Sequence, residues 1–138
     1  MPVVVTRRET FTAGHRLFRP EWSDERNREV FGRCSNPSGH GHNYVLEVSV
    51  RGEIDPETGY VMDLADLSRF LHEAVLDDVD HRNLNTDVEW LAGRVPSTEV
   101  LADAIFERLD SRIGGGLLWR VVVRETEKNR AERTRDAG

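Results

Sequence analysis

The chain has a single cysteine, Cys34, in 138 residues. No disulfide can form within it, and nothing points to an oxidising compartment. A basic excess is also missing: 19 Lys and Arg stand against 25 Asp and Glu, giving a net charge of −6 and a pI near 5.4. A general nucleic-acid binder carries a basic surplus or stripe, so that class is excluded, while a local basic pocket for an anionic ligand is not. No stretch approaches the roughly 18 consecutive apolar residues of a membrane span. The opening MPVVVTRRET has no charged start followed by a long apolar run, so no signal peptide is expected. Internal repeats and low-complexity tracts are lacking too. What remains is an ordinary globular composition, 38% hydrophobic and 32% charged, at a length that suits one domain over 1–138 with a real core. The expectation is a cytoplasmic domain with neither a nucleic-acid nor a membrane partner.

The pattern of elements indicates an α+β fold. Residues 3–14 begin with a β-branched run and read as a strand. Residues 23–31 form a short charged helical insertion, with Ser23 as N-cap and acidic residues in the first turn. The stretch CSNPSGHGHNY (34–44) starts as a loop and feeds a strand over 43–51, where Tyr44, Leu46, Val48 and Val50 share one face. DPETG (55–59) is a turn, with a short return strand expected at 60–62. Asp63 caps a helix over 64–77 with an apolar stripe of Leu64, Leu67, Phe70, Leu71 and Ala74. A second helix starts at Pro96-Ser97-Thr98 and runs to about Ser111, and Gly114–Gly116 end it. Residues 117–124 are a last strong strand. The polar tail after about 128 is expected to be mobile. Two helices on one face of a mostly antiparallel sheet follow from this order, and the open edges of such a sheet favour oligomerisation.

His40 and His42 stand two apart as the chain enters a strand, so both imidazoles point to one side. With only Gly41 between them, both can reach one metal ion. Catalytic zinc commonly takes three protein ligands and keeps one position open. His15, at the end of the first strand in FTAGHRL, is the candidate third ligand, because an antiparallel neighbour could set that strand end beside His40. A pair of half-exposed strand histidines fits the same spacing. His72 opens HEAVL, but Leu76 stands where a zinc helix needs its second histidine, so His72 reads as a helix-surface residue.

Cys34 lies in a polar loop after Arg33 and near this possible dication, and cationic neighbours favour the thiolate. A thiolate there can act as a general base, or it can close a Cys-His₃ zinc site. Asp80-His81 places a carboxylate next to an imidazole, which it can orient and hold charged. Glu125 follows the last strand, where a carboxylate can accept two N–H bonds from a planar amidine-like heterocycle. Each has a plain alternative: a small buried hydrophobe for Cys34, a chance adjacency for Asp80-His81 and an exposed surface role for Glu125.

Together, FTAGHRL, FGRCSNPSGHGHNY, GEIDPETGYVMDLADL, LDDVDHRNLN, PSTEV and VVVRET resemble segments of the 6-pyruvoyl-tetrahydropterin synthase family, in family order. The resemblance covers nearly the whole chain, from Phe11 to about Asn129. The Cys-x₅-His-Gly-His-Asn and Asp-His-x-Asn-Leu segments carry it most specifically. It implies zinc held by His15, His40 and His42, and catalysis by Cys34 with the pair Asp80 and His81. Glu125 would anchor a pterin, with the hydroxyls of Ser97 and Thr98 nearby. It further implies the tunnelling fold, a homohexamer of two stacked trimers, and active sites between subunits. The substrate class is 7,8-dihydroneopterin triphosphate, and the product is 6-pyruvoyl-tetrahydropterin after loss of triphosphate, a step in tetrahydrobiopterin biosynthesis. Close relatives make 6-carboxytetrahydropterin from the same substrate, on the route to queuosine. The five-residue gap between Cys34 and His40 and the insertion at 23–31 are similar to the pyruvoyl-forming branch. The family ends on an apolar strand, whereas NRAERTRDAG is nearly all polar. A reading from another class also stands: a non-catalytic binding module stabilised by a closed Cys-His₃ zinc site.

Overall fold

The computed structural model describes residues 1–136. Five strands form one sheet in the order β3-β1-β2-β4-β5. The strands are β1 (Val3–His15), β2 (His40–Gly52), β3 (Arg82–Asn83), β4 (Leu118–Arg124) and β5 (Arg130–Thr134). All neighbours pair antiparallel except β3, which runs parallel to the end of β1 through Ala13 and Gly14. The helices are α1 (Asp24–Phe31), α2 (Leu64–Leu71), α3 (Asp77–Val79) and α4 (Thr98–Ile113). The expected α+β layering is present, and no helix among the described residues is long and apolar enough to cross a membrane.

The period-two pattern decides which sheet face is covered. Phe11, Tyr44, Leu46, Val48, Val121 and Val123 alternate with more exposed residues along most of these strands and are buried against α2 and α4. Phe11 and Tyr44 stack as a cross-strand pair, their ring centroids 4.7 Å apart. Leu67 and Leu71 of α2 and Leu101, Ile105 and Leu109 of α4 supply the opposing layer. Leu64, expected on the buried stripe, is 44% exposed in the first turn of α2. Ser23 and Asp63 act as the expected N-caps, and Ser97 is a third: each accepts from a backbone N–H in the first turn of its helix.

Three local expectations are corrected. Residues 60–62 form no strand, because Asp55 N–H donates to Tyr60 O and Gly59 N–H to Asp55 O, closing that segment into a loop. The helix expected over 64–77 is α2 and α3 joined by a π-helical turn, His72–Leu76. Ala74, Val75 and Leu76 are all buried, and three consecutive residues cannot share one face of a regular α-helix. The wider turn accommodates them, and the guanidinium of Arg108 reaches in to donate to Ala74 O. Finally, residues 130–134 of the polar tail are ordered as β5 on the edge of the sheet. This strand is held by charge as well as apolar packing: Arg133 pairs with Asp103 and Glu107 of α4 and lies over Phe106, and Arg135 pairs with Asp110. The expectation of mobility beyond Asp136 falls outside the described residues.

Candidate metal and catalytic site

The β1–β2 register sets His15 directly opposite His40, and Ala13 opposite His42. Alternation then turns His15, His40 and His42 to the helix-covered side, at the end of the sheet where β1 and β2 outrun the core. The facing nitrogens of His15 and His40, both Nε2, lie 3.1 Å apart, and one ligand atom from each of the three rings falls within 4.8 Å of the others. The rings meet edge to face, with centroids 4.6–5.2 Å apart. His15 is 1% exposed, and its Nδ1–H donates to the carbonyl of Pro96 at 2.8 Å. That bond fixes the tautomer and leaves the Nε2 lone pair aimed at His40.

These residues fit a tetrahedral dication. The Nε2 of His42 is buried with no hydrogen-bond partner, although Glu125 Oε1 lies 3.1 Å away, poorly aligned. A buried ring nitrogen without a partner is costly in a packed site unless something else satisfies it. Burial lowers the pKa of both His15 and His42. The carbonyl of Pro96 and the carboxylate of Glu125 oppose that shift at His15, and Glu125 opposes it at His42, without overcoming it. Both rings are therefore biased to the neutral form, the form that ligates.

Gly39 shows why the approach to this cluster needs glycine. Its φ is +69°, and an added Cβ would lie 2.9 Å from the carbonyl oxygen of His15. Gly39→Ala is expected to cost about 2 kcal/mol or more, from left-handed strain plus the clash. A denaturant melt that leaves the midpoint unchanged would refute this reading.

Glu125 lies just past β4, its N–H donating to Asn129 O. Its carboxylate accepts a short hydrogen bond from Thr98 Oγ1, and its other oxygen faces His42. The N-terminus of α4 thus carries two contacts to the site, Pro96 to His15 and Thr98 to Glu125, while the hydroxyl oxygen of Ser97 between them is engaged as N-cap. The Thr98–Glu125 and Pro96–His15 links are between residues 27 and 81 positions apart and have no local sequence signal.

Cys34 sits in a 3₁₀ turn, Gly32–Ser35, between α1 and β2, and is partly exposed. It does not join the compact group of three histidines, so within one chain the closed Cys-His₃ site does not form. Asp80 and His81 follow α3 at the outer edge of β1. Asp80 Oδ1 accepts from Thr12 N–H at 2.9 Å and lies 3.1 Å from His81 Nδ1, while His81 N–H donates to Thr12 O. The Thr12 N–H holds the Asp80 carboxyl below its ordinary pKa, with a smaller contribution from His81. His81 has φ of 60°, a left-handed posture uncommon outside glycine and often stored at functional positions. Its side chain is 80% exposed and points away from its own chain's interior. One chain therefore brings together His15, His40, His42, Glu125 and Thr98. It does not bring Asp80-His81 to that group. His72, at 52% side-chain exposure, lies on the helix surface as expected.

Residues 4–136 match the protein family described as 6-pyruvoyl tetrahydropterin synthase. The chain is 48% identical over 125 residues to the Homo sapiens protein named 6-pyruvoyl tetrahydrobiopterin synthase, an alignment covering 91% of this chain and 86% of that one. The solved structure of Caenorhabditis elegans 6-pyruvoyl tetrahydropterin synthase superposes with a TM-score of 0.92 at 42% identity, covering 99% of this chain and 97% of that one. A more distant relative from Pyrococcus furiosus, named dihydroneopterin monophosphate aldolase, is 34% identical over 108 residues, covering 78% and 75%. The sheet and its helices are the tunnelling fold, and the chain belongs to the 6-pyruvoyl tetrahydropterin synthase family, as an enzyme of that lyase type.

Proposed function

We propose that this chain converts 7,8-dihydroneopterin triphosphate to 6-pyruvoyl-tetrahydropterin with elimination of triphosphate, using a zinc ion held by His15, His40 and His42. The observation that carries the reading is the convergence of three imidazoles on one point, one of them with a buried nitrogen that has no hydrogen-bond partner. A zinc ion held there would supply Lewis-acid polarisation, making the C–H bonds beside the oxygens of the substrate side chain more acidic.

The remaining work falls to the chain's own side chains. Cys34, as thiolate, takes a proton from the substrate side chain, and the carbon–oxygen bond to triphosphate breaks as that electron pair moves in. Asp80-His81 returns and relays protons during tautomerisation. The side chain is oxidised while the pterin ring is reduced within one molecule, so no external electron carrier is needed. Glu125 accepts from the N–H groups of the pterin ring, its carboxylate fixed by the Thr98 hydroxyl and with Ser97 nearby, so that the reacting carbon meets the base.

The exposure of His81 and the partial exposure of Cys34 support a site completed between subunits. Among the described residues, the edge of β1 from Val3 to Phe11 has no strand partner beyond β2, and no strand pairs with the outer edge of β5, both of which invite pairing with further copies. We accordingly assign a homohexamer, in the reducing cytoplasm that a lone cysteine suits. The reading is tested by incubating the zinc-loaded protein with 7,8-dihydroneopterin triphosphate and measuring released triphosphate. Turnover is expected, and its absence in protein with one zinc per chain would overturn the assignment.

A further inference from the structure

The 3₁₀ turn that carries Cys34 has few anchors. Two hydrogen bonds tie Cys34 and Ser35 to the segment just after His15. Leu17 N–H donates to Cys34 O at 2.8 Å, and Arg16 Nε donates to Ser35 O at 2.7 Å. Ser35 is itself buried, at 6% exposure, and its hydroxyl turns inward to Gly32 O. The position of the thiol is therefore set by wherever the Arg16-Leu17 peptide is held.

That peptide is held by one side chain. Asn85 Oδ1 accepts from Arg16 N–H at 2.7 Å, and Asn85 Nδ2 donates to Arg16 O at 2.8 Å. An amide that satisfies both backbone groups of one residue imitates a neighbouring strand. The imitation continues a real ladder: His81 N–H donates to Thr12 O and Leu84 N–H to Gly14 O, and Arg16, one residue past the end of β1, is the next alternate position. Beyond Leu84 the chain turns away, bent by the Asn83 side chain accepting from Asn85 N–H. The Asn85 side chain takes over where the backbone leaves.

We infer that Asn85 is a positioning residue for Cys34, fixing the thiol relative to the metal ligand His15 through the peptide of Arg16. This rests on the proposed role of Cys34 as base. Two features single out Asn85 over its neighbours. It contacts the backbone on the immediate C-terminal side of His15, so a shift there moves Cys34 more than the ligand, which is independently pinned by Pro96 and by strand pairing. Its amide also supplies one donor and one acceptor together, which neither Asp nor a hydrophobic residue can do.

The test uses the zinc-loaded, assembled enzyme and two variants, Asn85→Ala and Asn85→Asp. Asn85→Asp keeps the acceptor for Arg16 N–H and loses the donor to Arg16 O, so it is the milder change should Asn85→Ala fold poorly. A misplacement of about 1 Å costs on the order of 100-fold in rate. Asn85→Ala is expected to lower kcat by roughly 30- to 100-fold with KM within about 3-fold, and Asn85→Asp to fall between it and the parent. Zinc content should stay at one per chain in both. The rate of Cys34 alkylation by iodoacetamide should change by about 3-fold or more in Asn85→Ala, because the turn that presents the thiol is released. An unchanged kcat and alkylation rate in both variants would overturn the inference, as would a loss of activity that tracks loss of zinc. The alkylation rate separates the two levels of the argument. If it responds while Cys34→Ala proves fully active, Asn85 positions the thiol but the thiol is not the base.

Discussion

Replacing Cys34 with alanine is expected to lower kcat by about 100- to 10,000-fold, the range that a positioned general base supplies, while zinc content and the melting temperature stay close to the parent's. The selectivity of this effect follows from where Cys34 sits. It is partly exposed in a short 3₁₀ turn, outside the buried cluster that holds sheet and helices together, so removing its sulfur opens no core cavity. It is also outside the compact group of three histidines, so the metal keeps its ligands. Steady-state kinetics, metal analysis and a thermal melt of the same preparation check all three points. A Cys34→Ala protein with the full rate would remove the assigned base and leave Asp80-His81 as the only proton-transfer group in the account.

Removing the metal should abolish turnover completely and leave a folded protein. The core does not depend on the histidines: Tyr44, Leu46, Leu67, Leu71, Leu101 and Ile105 are fully buried by apolar contacts between sheet and helices. Loss of a bound ion is then a matter of mass action. It costs about 2.7 kcal/mol of apparent stability for an ion present at 100 times its dissociation constant, which lowers the melting temperature without removing the transition. A zinc-stabilised module behaves differently, since there the metal supplies the folding energy outright. Chelation followed by calorimetry separates the cases. A cooperative melt of an inactive apo protein agrees with a catalytic site, and loss of the transition on chelation would favour a structural one. Re-addition of zinc should restore the rate.

The fold was legible where periodicity and burial coincide. The strand signals along 3–14 and 43–51, the stripe of α4 with its start at Pro96-Ser97-Thr98, and the caps at Ser23 and Asp63 are local, and each places its element within a few residues. The misses have physical causes. The π turn at His72–Leu76 follows from three consecutive buried residues, which depends on what packs around them and not on pattern alone. Strand β5 is mostly polar because it lies at an edge, and ion pairs to α4 help hold it in place. Strand β3 is two residues long and exists only as a parallel partner of β1, so its sequence carries no signal of its own.

The site was legible in a similar way. The i, i+2 spacing of His40 and His42 gives their shared face, and antiparallel pairing gives His15 its place opposite His40. The supporting contacts could not be read locally. Pro96 to His15, Thr98 to Glu125 and Asn85 to Arg16 join residues 81, 27 and 69 positions apart. They form only once α4 and the 80–87 segment are laid against the sheet. Asp80-His81 is the instructive case, because its residues were identifiable but one chain does not bring the pair to the three histidines. Its exposure and the left-handed backbone of His81 make sense for a pair presented outward.

Product identification tests the central claim most directly. Zinc-loaded protein incubated with 7,8-dihydroneopterin triphosphate, with the mixture resolved by mass spectrometry, should yield 6-pyruvoyl-tetrahydropterin and one equivalent of triphosphate. A 6-carboxytetrahydropterin product, or a product of side-chain cleavage with the triphosphate ester intact, would contradict the proposed reaction.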